Sequence, residues 1–392
     1  MRILIIHQVP YRKVHYRRGL DHERHDVTYI GHPGRMADLP SDLRSRRIVL
    51  EPDEDIVAGI TARVRREDGY EHVIALSEFG VVEACLVRDH LGLPGPAVAD
   101  AERVRDKVKM KEAVAAAGVR APRFVAAPGG TLPWSGRTVV KPRQGASAEG
   151  VAVHASTEAA IAAYRALDDP TAFELEEYVD GDMHCADGNV DGGKVTGFSI
   201  SRYVNTPLDF IDGVPYGAFH VADAERHRDF VQSVVTALGI REGSIHLEFF
   251  LTPLDEPVFL EIANRVGGAG LIDAHLRHTG VHLPSQEIAI RLGLPMPEPD
   301  APSGKYHGWL AFPGHHLAPE TQLRASVPGH LRHNTCVDKL HELAPGDALP
   351  DHVTYQEWLV PLFFEASHAD SDELAGFLRE CARSVVMTEV SG

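Results

Sequence analysis

Apolar residues in the first 95 positions fall into short runs, at 3–7, 27–30, 48–50 and 72–76, each long enough for one strand. Between them, 53–66 and 78–91 carry apolar residues at helical spacing. Strands alternating with helices predict a small parallel α/β domain, and Leu93-Pro94-Gly95-Pro96 punctuates its end. No GxGxxG follows the first strand, so a dinucleotide-binding fold is not supported. A helix is predicted over 100–117, closed by Gly118. Strands follow at 123–126, 137–141, 151–154 and 173–178, with a helix at 156–167. From about 179 a larger antiparallel unit begins, with strands near 183–190 and 194–203. Residues 204–222 carry Pro207, Asp209, Gly213, Pro215 and Gly217 without a clear period, which predicts an irregular loop of the kind that covers a substrate. Helices are predicted at 223–238, 271–278 and 284–291, a Pro-rich linker at 294–302, and an α+β section over 305–392 ending in a helix from 372 to about 386. The expected division is 1–95, 96–178, 179–300 and 301–392.

The densest chemistry lies between His246 and Gly270. Two apolar runs joined by a Pro/Asp turn read as an antiparallel hairpin, with Glu248 and Glu261 at matching positions of its arms. Facing carboxylates in an apolar sheet repel and resist burial unless a cation lies between them. A hard divalent ion with oxygen ligands, Mg2+ carrying a nucleotide's phosphates, accounts for both. The plainer alternative is a pair of solvent-face carboxylates, which β-propensity disfavours in strands this apolar. Arg265 and the glycines after it add a cation and a close-approach backbone.

Composition narrows the field. With 392 residues, two or three domains are expected, and 44% apolar with 24% charged residues is the balance of a globular protein. The formal net charge of −17, without a dense Lys/Arg tract, argues against nucleic acid as a partner. The basic residues Arg12, Lys13, Arg17 and Arg18 read as a solvated face. Cys85, Cys185, Cys336 and Cys381 have no CxxC spacing, which fits a reducing cytoplasm. No apolar run is long enough to cross a membrane. Among the 23 histidines, His275, His278 and His282 follow no HExxH pattern, so metal ligation by them is not expected.

Three further motifs matter. Lys141 ends a strand and is followed by the small-residue stretch from Gln144 through Gly145 and Ser147 to Gly150, whose backbone N–H groups suit phosphate oxygens. It is not a Walker A sequence; a plain glycine turn is the competing reading. Lys107, Lys109 and Lys111 open a helix and by themselves read as a solvated face. Glu176, Glu177 and Val179 sit where a strand runs into a glycine turn; taken singly the segment reads as an acidic strand end, and an adenine edge held by its backbone is the competing reading.

Together and in this order, the motifs resemble the ATP-grasp superfamily, in particular its carboxylate–amine ligase branch, over about residues 95–295. The resemblance implies an α/β plus α+β fold, in which a parallel α/β domain precedes a nucleotide site sandwiched between two antiparallel-sheet subdomains. It implies ATP and Mg2+ (or Mn2+) as cofactors. Lys107 and Lys141 would reach nucleotide phosphates, and the loop 144–150 would cover them. Glu176 would accept from the adenine amino group, with Glu177 and Val179 offering backbone contacts. Glu248 and Glu261 match metal-binding acids, and Arg265 matches an arginine beside the phosphoryl group and acyl substrate. Three positions depart from the family pattern. Met183 replaces a ribose-binding Glu, with Asp187 as the candidate compensation. Ala263 replaces the Asn that completes the metal site, with Asn264 one place later as the candidate third ligand. His246 stands where a basic residue is common, and assists the phosphoryl group there only when protonated or donating. Arg265, Lys141 and His246 are thus the expected catalytic groups.

The implied reaction forms an acyl phosphate and ADP from a carboxylate and ATP, after which an amine displaces phosphate. Expected partners are a small carboxylate and an amine, amino acids or small peptides, and a homodimer is the expected assembly if there is one. Arg202 and Tyr203, before the irregular loop, and Gly267, Gly268 and Arg277, at and after the glycine cluster, are the candidates for receiving a substrate carboxylate. A bicarbonate-using carboxylase, a non-catalytic nucleotide-binding protein and a simple kinase are the competing readings.

Overall fold

The computed structural model describes residues 1–344 and 347–389. The apolar runs of the N-terminal segment become β1 (Arg2–Ile6), β2 (Asp26–Gly31), β3 (Arg46–Val49) and β4 (His72–Ala75). They pair in parallel in the order β3-β2-β1-β4, with the helix Ile56–Arg63 between β3 and β4 and the helix Gly80–Leu91 following β4. β1 shows why these runs are strands: Ile3, Leu4, Ile5 and Ile6 are all buried, feeding two separate apolar clusters on opposite faces. Continuous rather than alternating hydrophobicity is the mark of a sheet covered on both sides.

The helix predicted over 100–117 is two helices, Val98–Arg103 and Lys107–Ala116. Asp106 breaks it: its carboxylate accepts from the amides of Val108 and Lys109 and caps the second helix. The chain then forms a small antiparallel sheet from β5 (Phe124–Val125), β6 (Thr138–Pro142), β7 (Ala152–His154) and β8 (Phe173–Glu177), in the order β5-β8-β6-β7. The helix Thr157–Arg165 covers one face through Ala160 and Tyr164, against Val140 and Leu175.

Next come β9 (Asp182–Asp191), β10 (Lys194–Asn205), β11 (Tyr216–His220), β12 (Gly243–Leu251), β13 (Pro257–Ala263), β14 (Tyr306–Phe312), β15 (Leu323–Ser326), β16 (Val337–Glu342), β17 (Leu362–His368) and β18 (Val386–Glu389). Eight of them form one sheet in the order β13-β12-β9-β10-β11-β14-β17-β16, while β15 and β18 pair apart. The stretch 294–302 carries no helix or strand, yet the chain beyond it returns to the sheet it left, so the expected boundary at 300 is not a boundary of the sheet. The helices Lys107–Ala116 and Arg228–Leu238 bury Met110, Val114, Val231 and Val235 against Ala186, Ile245 and Leu247. Ser371–Ser384 buries Leu374, Leu378 and Cys381 against the C-terminal strands. Leu283–Leu292 carries Ile288 and Leu292 into the core of the N-terminal domain, locking that domain onto the large sheet.

The irregular loop predicted over 204–222 is ordered instead. Thr206 and Asp209 form a reciprocal capping box around the short helix Pro207–Ile211, and β11 follows. Pro207 sits at the first helical turn, where its missing N–H costs nothing.

Candidate active site

Glu248 and Glu261 are direct cross-strand partners in the β12–β13 hairpin. Their side chains line a cavity of about 300 Å³ between the large and small sheets. Lys107, at the start of its helix, places Nζ 3.1 Å from Glu261 and also donates to the Gly145 carbonyl at 3.2 Å. Lys141, on β6, lies 2.8 Å from Glu176 on the neighbouring β8. Burial would raise the Glu261 pKa, but Lys107 and Lys141 overrule it and hold the carboxyl down to about 2. Burial likewise works against the Lys141 ammonium, and Glu176, Glu174 and Glu261 raise its pKa in spite of it. Two carboxylates side by side on the cavity wall, Glu248 buried and Glu261 half-buried, are an all-oxygen donor set that fits a hard divalent cation.

Most other charges inside the cavity are also engaged by the protein. Lys111 is fully buried and contacts Glu174 and Glu176, each at 2.6 Å. Glu78, from the N-terminal domain, accepts from Arg265 at 2.7 Å and from Arg105. Glu248 accepts from the Tyr203 hydroxyl at 2.6 Å. His246 donates through Nδ1 to Asp187 at 2.9 Å, and its Nε2 lies 3.6 Å from Glu248. Burial would lower the imidazole's pKa, yet Asp187, with help from Glu248, pushes it up to about 10. The loop over this end of the cavity has Gly145, Ser147, Ala148 and Gly150 at positive φ. Ser147 and Ala148 thus hold a left-handed conformation that side chains disfavour.

The structure brings Lys107, Lys141, Gln144, Gly145, Ser147, Glu176, Glu177, Val179, His246, Glu248, Glu261, Arg265 and Gly268 to this one cavity. Others lie elsewhere. Asn264 follows Ala263, and strand alternation turns it to the other side, where its amide donates to the Glu242 and Ser244 carbonyls. It does not join the acid pair. Asp187 sits behind His246 rather than on the cavity wall, where a ribose would need it. Gly150 turns the end of the loop, next to Pro142. Arg202 is paired with Asp182 beside a separate surface groove, and Arg277 is paired with Asp338 and Glu365. Neither lines the cavity, and each is neutralised by a carboxylate from a neighbouring element. Tyr203 is occupied by Glu248, and Gly267 packs against Asp187 and Leu271, too close for any side chain.

Lys111 and Lys13, read as solvated, are buried; Lys13 donates to the Ala269 carbonyl at 2.7 Å. Sequence reasoning also missed Glu78, Arg105, Tyr216 and Tyr355, all of which line the cavity. Tyr355 reaches it from the C-terminal section and donates to the Ser147 carbonyl at 3.3 Å. The signal for Lys111 was present: positions 107 and 111 are one helical turn apart and share a face, while Lys109 points outward to Glu102. Among the described residues, Cys185, Asp187 and His246 are the one cluster with metal-ligand spacing, and the Asp187–His246 hydrogen bond already uses two of its donor atoms.

No family model matches the chain. It is similar to the L-arginine-specific L-amino acid ligase of Bacillus subtilis, at 23% identity over 244 residues. That match spans 56% of this chain and 57% of the relative, little more than half of each. The crystal structure of an L-amino acid ligase from Bacillus licheniformis superposes with a TM-score of 0.73 and 21% identity, covering 100% of this chain and 99% of that one. A carboxyaminoimidazole ribonucleotide synthase from Aspergillus clavatus, complexed with ATP, superposes with a TM-score of 0.67 and 13% identity, covering 97% of each chain. Likenesses this distant speak for architecture alone, and on architecture they agree with the two facing sheets and the parallel domain: the chain shares the ATP-grasp fold of these structures.

Proposed function

We propose that the protein is an ATP-dependent ligase that joins a small carboxylate, such as an amino acid, to an amine through an acyl phosphate, releasing ADP and phosphate. One observation carries the reading: two ionisable acids in cross-strand register face two lysines across a single cavity. Phosphoryl transfer asks a protein mainly for positioning and charge neutralisation, and this arrangement supplies both. Glu248 and Glu261 would hold Mg2+, which supplies charge to the phosphates when bound. Lys107 and Lys141 would turn from Glu261 and Glu176 to phosphate oxygens. Arg265, held by Glu78, would face the developing negative charge of the transferred group. Glu177 and Val179 would offer backbone groups to the adenine edge. The loop 144–150, tethered through Ser147 to Tyr355, and the helix Pro207–Ile211 would keep water from a readily hydrolysed intermediate.

Glu261→Ala is expected to lower ATP-dependent turnover by about 10²–10³-fold or more, leaving the far-ultraviolet circular dichroism unchanged. ADP release is the measurement, over pairs of amino acids, followed by mass spectrometry of the products. Undiminished ADP release by the variant would remove the acid pair from the chemistry. An acidic chain favours small substrates over polyanionic ones, and a cytoplasmic setting suits its four unpaired cysteines.

A further inference from the structure

The acids that line the cavity are Glu78, Glu149, Glu176, Glu177, Glu248 and Glu261. Five of them are engaged by the protein: Glu78 with Arg105 and Arg265, Glu176 with Lys111 and Lys141, Glu177 with Arg123, Glu248 with Tyr203, and Glu261 with Lys107. Glu149 alone stands exposed, on the covering loop rather than inside. With Glu248 and Glu261 given to Mg2+ in the ligase reading, and Glu78, Glu176 and Glu177 still held by Arg105 and Arg265, Lys111 and Arg123, the interior keeps no carboxylate for a substrate's cationic side chain.

The wall at the reacting end is aromatic and aliphatic. The rings of Tyr216 and Tyr355 are 4.9 Å apart, with Phe210 behind them, 4.9 Å from Tyr355. This is the end where phosphate chemistry would take place: Tyr355 donates to Ser147 in the loop, and Tyr203, stacked on Tyr216, donates to Glu248. Leu208 and Leu271 line the same cavity. A substrate whose carboxylate meets the γ-phosphate there must send its side chain toward these surfaces.

We propose that this wall selects, as the carboxylate substrate, an amino acid with an uncharged apolar or aromatic side chain, and discriminates against arginine and lysine. The inference rests on the ligase reading above. Apolar side chains gain from leaving water at such a wall, whereas a buried guanidinium or ammonium without a carboxylate loses its hydration. Attraction of a cation to the tyrosine faces offsets part of that loss and no more.

The test uses the full-length chain with MgATP and hydroxylamine, which traps an acyl phosphate as a hydroxamate whatever the natural amine is. Phenylalanine, methionine, leucine, arginine, lysine and glutamate are offered singly, and hydroxamate and ADP are both measured. The expected result is a kcat/KM for the best apolar acid at least about tenfold above arginine and lysine. Leu208→Glu, which adds a carboxylate at the half-buried edge of the wall, is expected to raise the arginine-to-leucine ratio by about tenfold. Tyr355→Ala is expected to raise KM for the apolar acid more than it lowers kcat. Arginine or lysine as the best acid, or ratios unmoved by both variants, would overturn the proposal while leaving the ligase reading standing. Absence of hydroxamate with every amino acid would overturn the ligase reading, and this inference with it.

Discussion

Lys111 is a lysine with no solvent contact, and its value to the protein lies in the two carboxylates it holds. Lys111→Met leaves Glu174 and Glu176 sharing Lys141 alone, and is expected to cost about 3–5 kcal/mol, read from urea denaturation. Adding Glu174→Leu should recover part of that loss, because one Glu174 oxygen is already without a partner. The pairing was legible in hindsight: Lys107 and Lys111 share a helix face, and Glu174 and Glu176 share a strand face. What the sequence lacked was any sign that these two faces meet. His246 gives a pH signature. Its pKa rises from 6.5 in the open chain to about 10 in the fold, so it contributes stability in full below pH 6.5 and loses it as pH climbs toward 10. Asp187→Asn should therefore flatten the fall in melting temperature between pH 7 and 10, and a variant curve as steep as the parent's would contradict the assignment.

Hairpin β12–β13 was readable as a hairpin, because its two apolar runs and Pro/Asp turn are local signals, but the facing of Glu248 and Glu261 also needs the register shift between Glu248 and Phe249, without which Glu248 would oppose Leu260. The segment 204–222 was misread although it carries a local signal as well: Thr206, Pro207 and Asp209 spell a capped helix start, overshadowed by the glycines and prolines around them. No local pattern announced that β14 would pair with β11. That joint depends on Gly217, where a methyl group would run into the Trp309 carbonyl of the adjoining strand. Gly217→Ala is expected to destabilise the protein by about 1–3 kcal/mol, measured by thermal unfolding, since neither backbone can retreat without breaking the ladder. The helix predicted over 100–117 is split at Asp106, at the point where the three-lysine motif was already read as opening a helix; what the longer prediction missed is the break between Arg103 and Lys107.

At the scale of the molecule, residues 354–358 connect parts far apart in the chain. Arg12, from the N-terminal domain, pairs with Glu357 and stacks on Trp358, while Tyr355 touches the covering loop. A site assembled from two sheets and the N-terminal domain should bind nucleotide only when folded. MgADP at 100 times its Kd is therefore expected to add about 2.7 kcal/mol to the unfolding free energy, and Lys107→Met with Lys141→Met to abolish that gain. The matched charges of the cleft carry one more consequence. A nucleotide that enters such a cleft takes lysines already attached to glutamates, so each new contact is won by releasing an old one. Binding becomes an exchange of partners instead of a simple gain, and its net free energy stays well short of what the same cations would give if they stood alone. The same trade runs backwards when the spent nucleotide departs, since the glutamates are waiting to reclaim their lysines. A site that neutralises itself in this way is built to let go, as the turnover of the proposed ligase would require.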